Sequence, residues 1–215
     1  MKVDKSSLLL YAVTERSWLK NRTLHDAVEE ALKAGVTFLQ LREKNLDYDS
    51  FLQLAIEIKK IADKYNVPFV INDNVDVAIA CGADGVHVGQ EDMDAKEVRK
   101  IIGPDKILGV SAETVEQAIR AEQSGADYLG VGAVFPSPTK LDAEVVSYET
   151  LKEICKAVSI PVVAIGGINE DNAVKLAGSG IAGIAVISAI FAKDDITAAV
   201  KKLREISSRL VSHED

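Results

Sequence analysis

Short β-branched runs alternate along this chain with longer segments whose apolar residues recur at helical spacing. The runs at 8–13, 37–42, 68–72, 85–88, 106–111, 128–131, 161–165 and 183–187 are predicted strands. The segments between them behave like that containing Phe51, Leu54, Ala55, Ile58 and Ile61, which share one face of a helix. Strands that alternate with helices call for a parallel sheet, because each helical crossover returns the chain to the same end of the sheet.

The punctuation narrows the architecture. Three odd-numbered strands follow or begin with a proline, at Val67-Pro68, Gly103-Pro104 and Ile160-Pro161. Every even-numbered strand follows a small residue and a glycine: Ala34-Gly35, Cys81-Gly82, Ser124-Gly125 and Ser179-Gly180. Those glycines stand where a helix ends in a left-handed residue. Two βα units repeated four times suit a closed (β/α)₈ TIM barrel, a single domain over residues 1–215. The alternative is an open doubly wound sheet. Its dinucleotide fingerprint is missing, since Gly130-Val131-Gly132 runs on into Ala133-Val134-Phe135 with no third glycine.

Alternation then assigns faces. With Val86 and Val88 outward against helices, Gly85, His87 and Gly89 point into the barrel. With Leu39 and Leu41 outward, Phe38, Gln40, Arg42 and Lys44 share the inner face, successive members roughly 6.6–6.8 Å apart. Asn72, Ser111, Gly109, Gly130 and Gly132 are inward by the same count. Large polar groups beside glycines describe a polar interior near the C-terminal rim, where barrel active sites lie. The plainer alternative for Arg42 and Lys44 is a strand end reaching solvent beside Glu43 and Asp47. His87, flanked by valines, reads as a hydrogen-bonded interior histidine rather than a catalytic base.

Two acids end adjacent strands, Asp73 in Asn72-Asp73-Asn74 and Asp92 after Gly89-Gln90-Glu91. Asp94 with Glu97 resembles a capping box, which leaves Asp92 for other work. For Asp73, Asn74 could cap the next helix instead, and Thr114 with Gln117 can cap the helix after Ser111, leaving Ser111 uncommitted. Paired carboxylates suit Mg²⁺, a hard cation held by one or two carboxylates plus phosphate oxygens. With Arg42 and Lys44 they make a clamp for a diphosphate. Gly166-Gly167 after strand seven and Ile187-Ser188 after strand eight are the loops where barrels often hold phosphate. Ordinary tight turns are the alternative. Lys140, in a proline-stiffened loop after strand six, could cross the mouth as a lid.

Composition changes the picture in two respects. The 215 residues carry 25 Lys and Arg against 33 Asp and Glu, a net charge of -8. That argues against a nucleic-acid or anionic-membrane partner, which needs a basic footprint, but leaves a local basic pocket open. Cys81 and Cys155 have no metal or disulfide spacing and read as reduced thiols. The apolar run near the start is too short for a signal core or a membrane span, so the expected compartment is the cytoplasm. Homo-oligomerisation is compatible with the sequence.

Along nearly its whole length the chain resembles the thiamine phosphate synthase family. The resemblance rests on Gln40-Leu41-Arg42-Glu43-Lys44, Ile71-Asn72-Asp73, Gly85-Val86-His87-Val88-Gly89-Gln90 with Asp92, and Gly109-Val110-Ser111-Ala112. It continues through Gly130-Val131-Gly132 to Thr139-Lys140 and Ala164-Ile165-Gly166-Gly167-Ile168. It implies a (β/α)₈ barrel that joins a hydroxymethylpyrimidine diphosphate to a thiazole phosphate and releases diphosphate. It assigns Gln40, Arg42, Lys44, Asn72, Ser111 and Lys140 to the pyrimidine diphosphate, with Lys140, Arg42, Lys44 and Ser111 as the catalytic set. Asp73 and Asp92 become Mg²⁺ ligands, and Ser137, Thr139, Gly167, Ile187 and Ser188 surround the thiazole phosphate. Ala133, Ser137, Glu113 and Ile181-Ala182-Gly183 depart from the family pattern, none at a metal contact. Two rivals stand beside this reading: a thiazole phosphate tautomerase on the same barrel, and a non-catalytic thiazole phosphate-binding protein.

Overall fold

A computed structural model describes residues 3–136 and 145–212. Its eight strands are β1 (Leu10–Val13), β2 (Phe38–Leu41), β3 (Phe69–Asn72), β4 (Gly85–Val88), β5 (Ile107–Ala112), β6 (Tyr128–Val131), β7 (Val162–Ile165) and β8 (Gly183–Val186). Each pairs in parallel with the next, and β8 pairs with β1 to close the barrel. That closing ladder decides against the open sheet. Several strands begin a residue or two later than the apolar pattern predicts. Pro68 and Pro161 lack the N–H a ladder needs and stand just ahead of β3 and β7. Leu8 belongs instead to a 3₁₀ turn, Lys5–Leu8, capped by Asp4.

The helices between strands are α1 (Leu24–Ala34), α2 (Tyr48–Lys64), α3 (Val75–Ala80), α4 (Ala95–Ile102), α5 (Val115–Gln123) and α6 (Tyr148–Ala157). Their first turns are capped by Thr23, Asp47, Asn74, Asp94, Thr114 and Ser147, each accepting from a backbone N–H that the helix leaves unpaired. The glycines ahead of the even strands, Gly35, Gly82, Gly125 and Gly180, all have positive φ, as a left-handed helix end requires. One unit departs from the repeat. After β7 the chain forms only a 3₁₀ turn, Ala173–Leu176, because Gly178 and Gly180 break the stretch before β8. After β8 it forms two helices, the short α7 (Ser188–Phe191) and the long α8 (Ile196–Val211). No helix among the described residues is long and apolar enough to cross a membrane.

Two buried layers follow from strand alternation. Leu39, Leu41, Val86 and Val88 face outward and pack with helix residues such as Ala27, Val28, Ala55 and Ile58. Tyr11, Phe38, Val70, Tyr128 and Val163 fill the barrel itself. Three rings make its floor, with Tyr11–Phe38, Phe38–Tyr128 and Tyr11–Tyr128 centroids 4.6, 5.5 and 5.8 Å apart. Aromatic pairs at such spacings add to area burial when tilted or edge-on. Glycines accommodate this bulk: a Cβ on Gly85 would lie 2.0 Å from the carbonyl oxygen of Ile107 on the next strand. Gly85→Ala is therefore expected to cost about 1–3 kcal/mol. It should appear in urea unfolding as a lower midpoint at unchanged slope.

Candidate active site

Three strands side by side, β4, β5 and β6, align His87, Gly109 and Tyr128 in one row. The middle position has no side chain, so its neighbours meet over it. A Cβ there would lie 2.2 Å from the Tyr128 ring and 2.5 Å from His87 Nδ1. His87 Nδ1 and the Tyr128 hydroxyl are hydrogen-bonded at 3.0 Å, and His87 Nε2 and Ser111 Oγ also at 3.0 Å. On the other side the Tyr128 and Tyr11 hydroxyls are 2.7 Å apart, and Gln40 Nε2 donates to Tyr11 at 2.5 Å. Burial pushes both tyrosine hydroxyls well above their ordinary pKa. The same burial lowers His87 from 6.5 to about 4, against a small opposing pull from Asp92. The imidazole is thus neutral, an interior histidine bonded through both nitrogens.

Above this floor, a cavity of about 210 Å³ opens at the C-terminal ends of the strands. Gln40, Arg42, Asn72 and Ser111 line one side, and Gly167, Ile187 and Ser188 line the other. Gly167, with φ of 68°, lies so close to the first residues after β6 that a Cβ would be 2.5 Å from the Phe135 carbonyl oxygen. The loop's approach and the backbone conformation both require glycine there. Ile187 and Ser188 lead into α7, the short extra helix after β8. Ser137, Thr139 and Lys140 lie outside the described residues.

Lys44 stands past the end of β2, in an ion pair with Asp73. Arg42 reaches the cavity but is held by Glu15, Nη1 to Oε2 at 2.6 Å. Both cations of the predicted row therefore carry a carboxylate partner. Glu15 was not among the residues the sequence pattern singled out, since it follows β1 with no periodic signal. Tyr11 and Tyr128 were missed as well, although each sits on an inward strand position where an aliphatic residue is usual.

Asp92 lies beside Asp73, and its Oδ2 accepts from Gly89 N at 2.7 Å. Burial raises the Asp73 pKa, and the Asp92 carboxylate adds to the rise while Lys44 opposes it. Asp73 itself has φ of 62°, a left-handed conformation, with Asn74 capping α3 in its place. Among the described residues no group of three His, Cys, Asp or Glu could hold a metal. Two oxygen donors whose charges repel fit a hard cation that keeps waters and substrate oxygens, and do not fit a structural zinc.

Barrel closure and a cavity lined by polar side chains at the C-terminal rim, where barrel active sites lie, define a (β/α)₈ barrel of the enzyme type. The sequence profile of the family described as thiamine monophosphate synthase matches residues 10–190; the chain belongs to that family and is an enzyme, a transferase. It is 57% identical over 203 residues to the thiamine-phosphate synthase of Ruminiclostridium cellulolyticum, covering 94% of this chain and 97% of that one. It is also 57% identical over 194 residues to the thiamine-phosphate synthase of Clostridium tetani, covering 90% and 93%. The solved thiamine phosphate pyrophosphorylase of Pyrococcus furiosus superposes with a TM-score of 0.89 at 40% identity, over 96% of this chain and 98% of that one.

Because His87 titrates near 6.5 unfolded and near 4 folded, the unfolded chain takes up the proton first as pH falls. Stability from this residue is complete above pH 6.5 and is lost toward pH 4, about 3 kcal/mol in all. His87→Gln should flatten the stability–pH curve in that window, as read by urea unfolding at pH 4.5 and 7.

Proposed function

We propose that this chain is a thiamine phosphate synthase. It condenses 4-amino-2-methyl-5-hydroxymethylpyrimidine diphosphate with 4-methyl-5-hydroxyethylthiazole phosphate to give thiamine phosphate and diphosphate; from the carboxylated form of the thiazole phosphate, CO₂ is released as well. The observation that carries this reading is that one cavity joins the two residue sets. Gln40, Arg42, Asn72 and Ser111 face Gly167, Ile187 and Ser188 across it, with Asp73 and Asp92 at the rim. A site for one phosphate alone would not need the first set.

The C–O bond from the pyrimidine methylene to the diphosphate breaks, and the bond to the thiazole nitrogen forms at the same carbon. The electron-rich pyrimidine carries the positive charge between the two events, so no protein nucleophile is required. Arg42 binds the departing anion from the cavity wall, and Lys44 approaches it from the rim. Lys140 is assigned to the same group from the loop after β6. Preorganised charges of this kind supply the largest part of such rate enhancements. Mg²⁺, held by Asp73 and Asp92, would neutralise the charge developing on the leaving group. Ser137, Thr139, Gly167, Ile187 and Ser188 bind the thiazole phosphate, the last three from loops flanking the cavity. The tyrosine floor closes the site from below and keeps water from the cationic carbon.

Purified protein with Mg²⁺ should release diphosphate only when both substrates are present. Binding without release would point to a sensor, and conversion of the thiazole alone to a tautomerase. Asp73→Ala and Asp92→Ala should each lower the Mg²⁺-dependent rate by at least about 100-fold in folded protein. Full activity in both would remove the metal assignment. Asp73→Asn removes a carboxylate whose ionisation the fold opposes, and asparagine suits the left-handed backbone. The variant should melt at a higher temperature than the parent in EDTA at pH 7, and Mg²⁺ should no longer raise its melting temperature.

A further inference from the structure

The hydrogen bonds under the cavity have a direction. Gln40 Nε2 can only donate, so the Tyr11 oxygen accepts from it at 2.5 Å. Either hydroxyl could donate in the 2.7 Å Tyr11–Tyr128 bond, but the buried Tyr11 proton needs an acceptor, and among the hydrogen bonds of the described residues that acceptor is the Tyr128 oxygen. The Tyr128 proton is in turn directed at His87 Nδ1, 3.0 Å away. A neutral imidazole bears a single N–H. With Nδ1 accepting, that proton sits on Nε2 and is donated to Ser111 Oγ at 3.0 Å. Ser111 therefore accepts from below, and its own proton is left for the cavity that it lines. Five residues on five different strands share one polarity, and it passes over Gly109, where any side chain would strike both Tyr128 and His87.

We propose that Tyr11, Tyr128 and His87 are positioning residues that turn the Ser111 hydroxyl into a hydrogen-bond donor, so that Ser111 selects an acceptor atom on the bound pyrimidine diphosphate. The polarity is a property of the free protein. Only the identity of the atom's owner rests on the function proposed above. None of the three needs to touch the substrate, and each acts by leaving the next only one way to bond. The reverse arrangement is the competing state. If the Gln40 amide oxygen met Tyr11, every bond would reverse, the His87 proton would sit on Nδ1, and Ser111 would present lone pairs instead.

Nitrogen-15 NMR of the full-length, ring-labelled protein tests this without substrate or metal. The signals of His87 are assigned by their loss in His87→Gln, there being three histidines in the chain. The expected spectrum has a protonated, pyrrole-type Nε2 and a bare, pyridine-type Nδ1. The opposite assignment would overturn the proposal. Tyr128→Phe removes the donor to Nδ1 and should move both nitrogen shifts toward the other tautomer. Tyr11→Phe, one link further back, should move them the same way and serves if Tyr128→Phe does not fold. Affinity for the pyrimidine diphosphate, measured calorimetrically without thiazole phosphate, should fall about tenfold in Tyr128→Phe, close to the loss in Ser111→Ala. A merely structural tyrosine would lower stability and leave the nitrogen shifts in place. Unmoved shifts, or moved shifts with undiminished affinity, would sink the positioning role. If the parent protein binds no pyrimidine diphosphate, the functional reading fails, while the nitrogen shifts still decide the polarity.

Discussion

The inside of a closed eight-stranded barrel has a fixed volume, and every inward side chain competes for it. Here the competition is settled by pairing large groups with glycines in the same row. Tyr128 and His87 meet only because Gly109 stands between them, and Gly130 leaves His87 its space from above, a Cβ there falling 3.1 Å from Cε1. Filling the lower layer with Tyr11, Phe38 and Tyr128 gives an apolar body whose hydroxyls converge at the top. Those hydroxyls cannot be left unpaired in a buried site, since an unsatisfied polar group costs about 1–3 kcal/mol. The chain from Gln40 to Ser111 satisfies them, and it is therefore both packing and orientation.

The rim follows a different logic. Its charges are close but not alone: Glu15 holds Arg42, and Asp73 holds Lys44. Both pairs are partly exposed, so they contribute little to stability. Their consequence is geometric, because each cation is kept beside the cavity mouth instead of free in solvent. Asp73 is pressed by burial and by Asp92, which makes this corner receptive to positive charge. A net charge of -8 for the whole chain thus coexists with two cations, Arg42 and Lys44, kept near the mouth.

Much of this was legible without coordinates. The eight strands and the helix-ending glycines follow from local pattern and punctuation, and the inward assignment of Gln40, His87 and Ser111 from period-two alternation; the structure reproduces them. The caps were legible too, since Asn74, Asp94 and Thr114 take the roles that leave Asp73, Asp92 and Ser111 uncommitted to helix ends. What periodicity misses is contact between strands distant in sequence. Tyr11 and Tyr128 are 117 positions apart and touch through hydroxyls 2.7 Å apart. No local pattern marks that pair, nor the grip of Glu15 on Arg42.

The sequence by itself determined the architecture and the list of polar groups able to reach one end of it, because alternation, helix signals and glycine placement are local properties of the chain. The tertiary structure decided which of those groups are paired. Beyond the end of β2 at Leu41, Arg42 lines the cavity paired with Glu15, and Lys44 is paired with Asp73 at the neighbouring strand end. His87 became neutral and directional because closure buried it between Tyr128 and Ser111. Charge state and hydrogen-bond direction depend on distances across the barrel, and those exist only once β8 has met β1.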